Sequence, residues 1–178
     1  MKIIVLDRDG VINQDSVHFI KSPAEWVPIP GSLEAIARLN QAGYRVVVAT
    51  NQSGIERGLF DMDTLNAIHD KMLKTLATVG GRIDAIYYCP HAAESDCACR
   101  KPKPGMFRRI AECFNTDLEG VLAVGDGLRD LQAAAAAGAT PCLVLTGKGE
   151  QTREAGRLPK GTRTFPDLAA VVDELLEP

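Results

Sequence analysis

Ile3-Ile4-Val5-Leu6-Asp7-Arg8-Asp9-Gly10-Val11 is the stretch that decides the fold. Four apolar residues of strand length run straight into two aspartates and a glycine. Open α/β sheets bind ligands at the carboxyl ends of their strands, so Asp7 and Asp9 are expected where a ligand arrives. Apolar runs of the same kind recur at residues 46–49, 85–88, 121–124 and 142–145. Between and after them lie helical patterns near 32–42, 62–79, 105–114, 128–137 and 166–176, with Gly43, Gly80 and Gly138 placed as stops. Strands alternating with helices predict βαβ units with right-handed crossovers. The expected fold is therefore a three-layer α/β/α sandwich around a mainly parallel, Rossmann-like sheet. The alanine run 133–137 fits a tightly packed helix, and the polar segment 147–161 reads as a surface loop or edge element.

A chain of 178 residues is long enough for one substantial core and short for two, so one domain over residues 1–178 is expected. The net charge of −3 and low aromatic content argue against a nucleic-acid-binding face. A phosphorylated ligand would have to be met by locally clustered cations. With no apolar run of membrane-spanning length and no export signal, a cytoplasmic location and no membrane partner are expected. No exposed apolar stripe is evident, so the expected state is a monomer.

Asp-x-Asp-Gly after a strand has competing readings. A calcium loop requires glycine at its sixth position and glutamate at its twelfth, where this chain has Ile12 and His18. A plain turn is weakened by three companions at other predicted strand or helix ends. These are Thr50-Asn51, Lys101-Pro102-Lys103-Pro104 and Gly125-Asp126-Gly127-Leu128-Arg129-Asp130. Together the four suit phosphoryl transfer through an aspartyl phosphate. Asp7 is read as the nucleophile, dividing one hard displacement into two. Its repulsion from phosphate calls for Mg²⁺, with Asp7 and Asp126 as ligands. Asp9 is read as the acid/base, which requires a raised pKa so that it is protonated when substrate binds.

The remaining residues are expected to grip the substrate. Thr50 and Asn51 close a strand, and Gln52-Ser53-Gly54 forms a turn whose N–H groups suit phosphate oxygens, with Ser53 and Arg57 as further contacts. Lys101 is preferred to Lys103 as the phosphoryl-stabilising cation, near a helix N-terminus that adds to its effect. Arg100 suits a second anionic or hydroxylated part of the substrate, with a rim salt bridge as the alternative. Asp130 either caps the helix or orients water on the metal.

Five cysteines in a reducing compartment do not suggest disulfides. Cys89, His91, Cys97 and Cys99 instead form a C-x-H…C-x-C pattern suited to tetrahedral Zn²⁺. Four protein ligands close the site, so the zinc is expected to be structural. It would stiffen the small, polar residues 92–96 and tether the adjoining Arg100 and Lys101. Cys113 and Cys142 are expected to be packing residues.

With these residues in view, the chain resembles the haloacid dehalogenase superfamily of phosphatases over nearly its whole length. Asp-Arg-Asp-Gly-Val-Ile-Asn, Thr-Asn-Gln-Ser-Gly-Ile, Tyr-Tyr-Cys-Pro-His and Cys-Arg-Lys-Pro-Lys-Pro-Gly-Met more narrowly resemble its heptose bisphosphate branch. The histidinol-phosphate phosphatase branch shares the aspartate chemistry and the zinc loop and is the rival. The resemblance implies a small phosphorylated sugar as substrate, a place in ADP-heptose synthesis, and an Asp9 backbone contact to the metal. It also maps a substrate loop onto Asp15 through His18. Gly127 stands where some members have lysine, a departure that bears on anomer preference and on the grip of a distal phosphate. No insertion is large enough for a cap domain, so an open site is expected. A non-catalytic phosphosugar-binding module is the alternative of another class, and a macromolecular phosphate a third.

Overall fold

The computed structural model describes residues 1–177. Its strands are β1 (Lys2–Leu6), β2 (Tyr44–Asn51), β3 (Ala85–Cys89), β4 (Leu122–Gly125), β5 (Thr140–Val144) and β6 (Arg163–Phe165). They form a sheet in the order β3-β2-β1-β4-β5-β6, every neighbouring pair parallel. The helices are α1 (Ser32–Gln41), α2 (Met62–Ala77), α3 (Gly105–Phe114), α4 (Leu128–Ala136), α5 (Gly149–Ala155) and α6 (Leu168–Leu176), with a 3₁₀ turn at Pro23–Glu25.

Successive side chains of a strand face opposite ways, and here both faces are covered. Ile4, Leu6, Val46 and Val48 join Val124 and Val144 against Ile36 and Leu39 of α1, Ile68 and Met72 of α2, and Val171 of α6. Their neighbours Ile3, Val5, Val47 and Ala49 point the other way, onto Phe107 and Ile110 of α3 and Ala133 and Ala134 of α4. Burying each large aliphatic side chain contributes about 1.5–3 kcal/mol, so this two-sided strand pattern drives the three-layer arrangement. Ala133 and Ala134 are small enough to bring α4 close to the sheet, as the alanine run suggested.

The expected fold class is observed, and so are the five expected helices and five expected strands, with shifts of a residue or two at some ends. Two elements went unforeseen. Strand β6 is three residues long with two of them exposed, and α5 buries only Gly149 and Thr152. Neither carries an apolar period. Residues 147–161 thus contain a helix, α5, where a surface loop or edge element was expected. Cys142 is buried, as expected, but Cys113 is exposed near the end of α3 and is not a packing residue. The chain reverses its direction of sheet growth between β1 and β4, and the carboxyl ends of those strands deliver Asp7 and Asp126 to the crevice. Among the described residues no helix is long and apolar enough to cross a membrane.

Candidate active site

Asp7 follows β1 directly, and its N–H continues the ladder to the Val124 carbonyl. Asp126 follows β4, and Asp130 sits in the first turn of α4. Carboxylate oxygens of Asp7, Asp126 and Asp130 lie within 4.8 Å of one another. Lys101 enters this acidic cluster from the loop before α3, only 2% exposed. Its ammonium stands 2.7 Å from Asp130 Oδ1 and 3.1 Å from Asp7 Oδ1, and donates to the Ala49 carbonyl at 2.8 Å. Burial works against the charge on Lys101, but Asp130 and Asp7 outweigh it and raise its pKa above the usual lysine value. Lys103, by contrast, is exposed and bonded to the Cys97 carbonyl.

Three carboxylates against one ammonium leave the cluster short of positive charge. Burial and then Asp130 push Asp7 well above the usual carboxylate range, despite the opposing pull of Lys101. The same two causes take Asp126 to about 7. A hard divalent cation with oxygen ligands is the natural complement of such a set. Space is kept for Asp126 by glycine: a Cβ at Gly10 or at Gly147 would collide with its carboxylate, and both residues take positive φ. Asp130 does cap α4, accepting the Gly127 N–H at 3.0 Å, while its other oxygen is engaged by Lys101.

Asp9 does not match the expectation of a raised pKa. Burial alone would raise it, but the Arg8 guanidinium and hydrogen bonds from Asn13, Arg8 and Gln52 outweigh burial and lower it. The sequence placed an arginine beside Asp9 without revealing that its side chain folds back onto the carboxylate, 2.9 Å away. Thr50 is buried at the end of β2, and its hydroxyl accepts from Gln52 Nε2 at 2.8 Å.

An open cavity of about 610 Å³ lies over these groups and is lined by Asp7, Asp9, Asp126 and Asp130 together with Asp15, Asn51, Ser53, Arg57, Arg100 and Gly127. Three residues expected to grip the substrate do not line it, Thr50 among them because it is buried at the end of β2. His18 is exposed and does not line the cavity. Gln52 is buried among Arg8, Asp9 and Thr50, because its amide completes their hydrogen bonds. Asn51 lines the cavity but also clamps the Lys101 backbone, accepting its N–H and donating to its carbonyl, both at 3.1 Å.

The segment around α5 supplies what the sequence concealed. The Lys148 N–H donates to Asp126 Oδ2 at 2.8 Å, and the Thr152 hydroxyl donates to the Asp126 carbonyl at 2.7 Å. Thr146 donates to the Gly10 carbonyl at 2.7 Å. Arg129 and Arg157 also reach the cavity wall. No periodicity marks these contacts; the one usable signal was a cluster of glycine, lysine and arginine after an apolar strand.

Cys89, His91, Cys97 and Cys99 converge, with ligand atoms within 4.8 Å. Cys89 Sγ stands 3.8 Å from Cys97 Sγ and 3.6 Å from His91 Nδ1, and Cys99 Sγ lies 3.4 Å from that nitrogen. Tetrahedral zinc with these donors needs separations of about 3.5–3.8 Å, so these edges fit. The Cys89–Cys99 sulfur pair, at 2.7 Å, would open around an ion. Burial and hydrogen bonding from Cys99 raise the Cys89 thiol to about 12, and a bound cation would reverse that bias. The loop is tied to the cavity through Arg100, whose Nη1 donates to the His91 carbonyl at 3.2 Å, and to the segment after β2 through Glu56, which accepts from Ala92 and Ser95.

A carboxylate at a strand end, a buried lysine and a carboxylate cluster at the switch point are the arrangement of a phosphoryl-transfer hydrolase. The family model for haloacid dehalogenase-like hydrolase matches residues 6–138, and the chain belongs to that family. Within it, the chain is 63% identical over 177 residues to the D-glycero-beta-D-manno-heptose-1,7-bisphosphate 7-phosphatase of Bordetella bronchiseptica, covering 99% of each chain. It is 56% identical to the protein of the same name from Pseudomonas putida, over 99% of this chain and all of that one. The solved D,D-heptose 1,7-bisphosphate phosphatase of B. bronchiseptica, complexed with magnesium and phosphate, superposes with a TM-score of 0.98. That match has 64% identity and covers 99% of this chain and 98% of the other.

Proposed function

We propose that this chain is a Mg²⁺-dependent phosphatase that removes the C7 phosphate of D-glycero-D-manno-heptose 1,7-bisphosphate in ADP-heptose synthesis. The observation that carries the reading is the pairing of two unlike surfaces in one cavity. Its floor holds Asp7, Lys101 and Asp126, and its wall carries Arg57, Arg100, Arg129 and Arg157. Among the described residues none of these arginines has a carboxylate within ion-pair distance. A substrate with two phosphates satisfies both surfaces at once. The whole chain, residues 1–178, acts as one catalytic domain, and a cytoplasmic monomer is the proposed state.

Asp7 Oδ1 is already held by the Arg8 backbone N–H at 2.8 Å and by Lys101, which leaves Oδ2 without a donor. Asp7 attacks phosphorus, forming an acyl phosphate as the sugar oxygen departs; Asp9 protonates that oxygen, then takes a proton from the water that hydrolyses the intermediate. Asp9 starts as a carboxylate in this structure, so its acid half depends on the negative charge of the arriving phosphate raising its pKa. Lys101 stabilises the phosphoryl oxygens, and Thr50, buried with its hydroxyl accepting from Gln52, supports the site from beneath. Asp7, Asp126 and the Asp9 carbonyl would hold Mg²⁺, with Asp130 behind them; the ion supplies charge neutralisation between nucleophile and phosphate. Cys89, His91, Cys97 and Cys99 would hold Zn²⁺ as a structural clip.

Histidinol phosphate carries cationic nitrogen where the wall presents arginines, so repulsion disfavours it. The binding-module reading gains nothing from the acidic floor, which repels phosphate unless chemistry is done there. The test is phosphate release by the purified chain with Mg²⁺ from heptose 1,7-bisphosphate, as both anomers, and from histidinol phosphate. The β anomer of the bisphosphate, which the relatives' names specify, is expected to give the highest kcat/KM. A higher value for histidinol phosphate would overturn the substrate assignment.

A further inference from the structure

Arg8 lies between the two motif aspartates in sequence, yet its side chain is fully buried beneath the floor. Its Nε and Nη2 reach the same atom, Asp9 Oδ1, at 3.0 and 2.9 Å. Asn13 Nδ2 reaches that atom too, at 3.0 Å. Asp9 Oδ2, by contrast, has a single long contact, 3.4 Å from Gln52 Nε2. A carboxylate oxygen has two lone pairs, so an Oδ1 engaged by three donors has no place for a proton. Exchange with the substrate falls to Oδ2.

The guanidinium is fixed from behind. Arg8 Nη1 lies 3.0 Å from Nε2 of His69, a buried residue of α2 remote from every motif. Burial and the neighbouring Arg8 lower the His69 pKa to about 4, so the ring is neutral and Nε2 offers a lone pair to the arginine. Gln52 closes the arrangement, with its Oε1 3.4 Å from Arg8 Nη2 and its amide nitrogen on Thr50. None of these contacts touches the cavity, and Arg8 does not line it.

We propose that Arg8, anchored by His69, is a positioning residue that aims Asp9 so that Oδ2 alone exchanges protons with the leaving group and the attacking water. The inference rests on the reading of Asp9 as the acid/base. In the first half-reaction the Asp7–phosphorus bond forms and the phosphorus–sugar oxygen bond breaks, while Oδ2 gives its proton to the departing oxygen. In the second, Oδ2 takes a proton from water as the water oxygen attacks phosphorus, and Asp7 leaves as a carboxylate with release of phosphate. Without the fork of Arg8 the carboxyl would rotate, and either oxygen could take up donors meant for the other.

Leaving groups distinguish aim from general damage. p-Nitrophenolate departs without a proton, whereas a sugar alkoxide does not, so the ratio of kcat/KM for heptose bisphosphate to that for p-nitrophenyl phosphate reports Asp9 protonation. Both values come from one preparation with Mg²⁺, so the ratio is independent of the folded fraction. Asp9→Asn should lower it by about 100-fold. His69→Leu and Arg8→Lys should each lower it about 10-fold, with His69→Gln, which keeps an acceptor, restoring it to within about 3-fold. Equal ratios in His69→Leu, Arg8→Lys and the parent, with Asp9→Asn still low, overturn the positioning role. Equal losses in His69→Leu and His69→Gln overturn the anchoring by His69. An unchanged ratio in Asp9→Asn overturns instead the acid/base reading beneath it.

Discussion

The floor of the cavity and its wall treat their cations in opposite ways. On the floor, Lys101 is nearly inaccessible and lies between two carboxylates, and Arg8 is inaccessible and closes on Asp9. On the wall, Arg57 makes a 3.4 Å contact to Ser53 and lies over the Phe19 ring, and Arg100 bonds to a backbone carbonyl. The Arg100 guanidinium pKa is lowered by burial, by Arg129 and by Arg57, against the opposing pull of Cys89 and Cys97, which places like charges together with no carboxylate partner. Floor cations therefore have their partners built in and orient reacting groups, whereas wall cations take their counter-charge from the substrate. Coulomb interactions are strong and little screened in the interior and weak and salt-dependent at an open rim, so damage to the two regions should differ in size and kind.

The largest effect should come from the floor. Replacing the Asp7 carboxylate in Asp7→Asn removes the nucleophile and should reduce kcat on the order of 10⁴-fold or more, with Mg²⁺-dependent binding of inorganic phosphate retained. Mass spectrometry of the acid-quenched parent should show an aspartyl phosphate that the variant lacks. Full activity in Asp7→Asn would break the division between floor and wall at its root. Lys101→Met should lower kcat about 10²–10³-fold, the usual cost of deleting one preorganised charge from a phosphoryl site. Its effect on KM should be smaller, because Lys101 already spends its ground state bound to Asp7 and Asp130.

How legible this contrast was in the sequence depends on what fixes each residue. Asp7, Asp126 and Lys101 stand immediately beyond apolar strands or before a helix, so strand direction alone carries them to one edge. Asp9 lines the cavity, but its lowered pKa was not foreseen, because a dipeptide gives no hint that Arg8 turns inward to His69, sixty-one positions away. The wall was half legible: Arg100 adjoins the cysteine pattern, but Arg157 follows a helix with no apolar stripe. Lys148 and Thr152 reach Asp126 through a backbone N–H and a hydroxyl, and neither contact leaves a compositional mark.

Acid should expose the buried character of the floor. His69 has a folded pKa of about 4 against a usual 6.5. Below about pH 6.5 the unfolded chain takes up at this residue a proton that the folded protein refuses, so the contribution of His69 to stability falls as pH drops toward 4, while the raised pKa values of Asp7 and Asp126 act in the opposite direction. The full window corresponds to about 3 kcal/mol, of which about 2 kcal/mol is lost between pH 7 and pH 5. Urea melts at those two pH values should show the stability of His69→Gln rising relative to that of the parent, by about 2 kcal/mol, on going from pH 7 to pH 5. An equal change in both would mean that His69 is not held neutral against Arg8.

The wall should give the smallest and most selective loss. Arg129→Ala removes a donor fork that has no carboxylate partner among the described residues, so nothing inside the protein is left unpaired. A charge-assisted hydrogen bond to a distal phosphate contributes about 1.5–3 kcal/mol, so KM for the bisphosphate should rise by about 10-fold or somewhat more. For a heptose 7-phosphate, which has no second phosphate, KM should hardly change, and kcat should stay near the parent value for both. Raising the salt concentration should weaken bisphosphate binding in the parent more than in Arg129→Ala, since an open rim is screened. If Arg129→Ala instead lowered kcat equally for both substrates, the wall would belong to the chemistry, and its four unpaired arginines would be an extension of the floor rather than a seat for the substrate's far end.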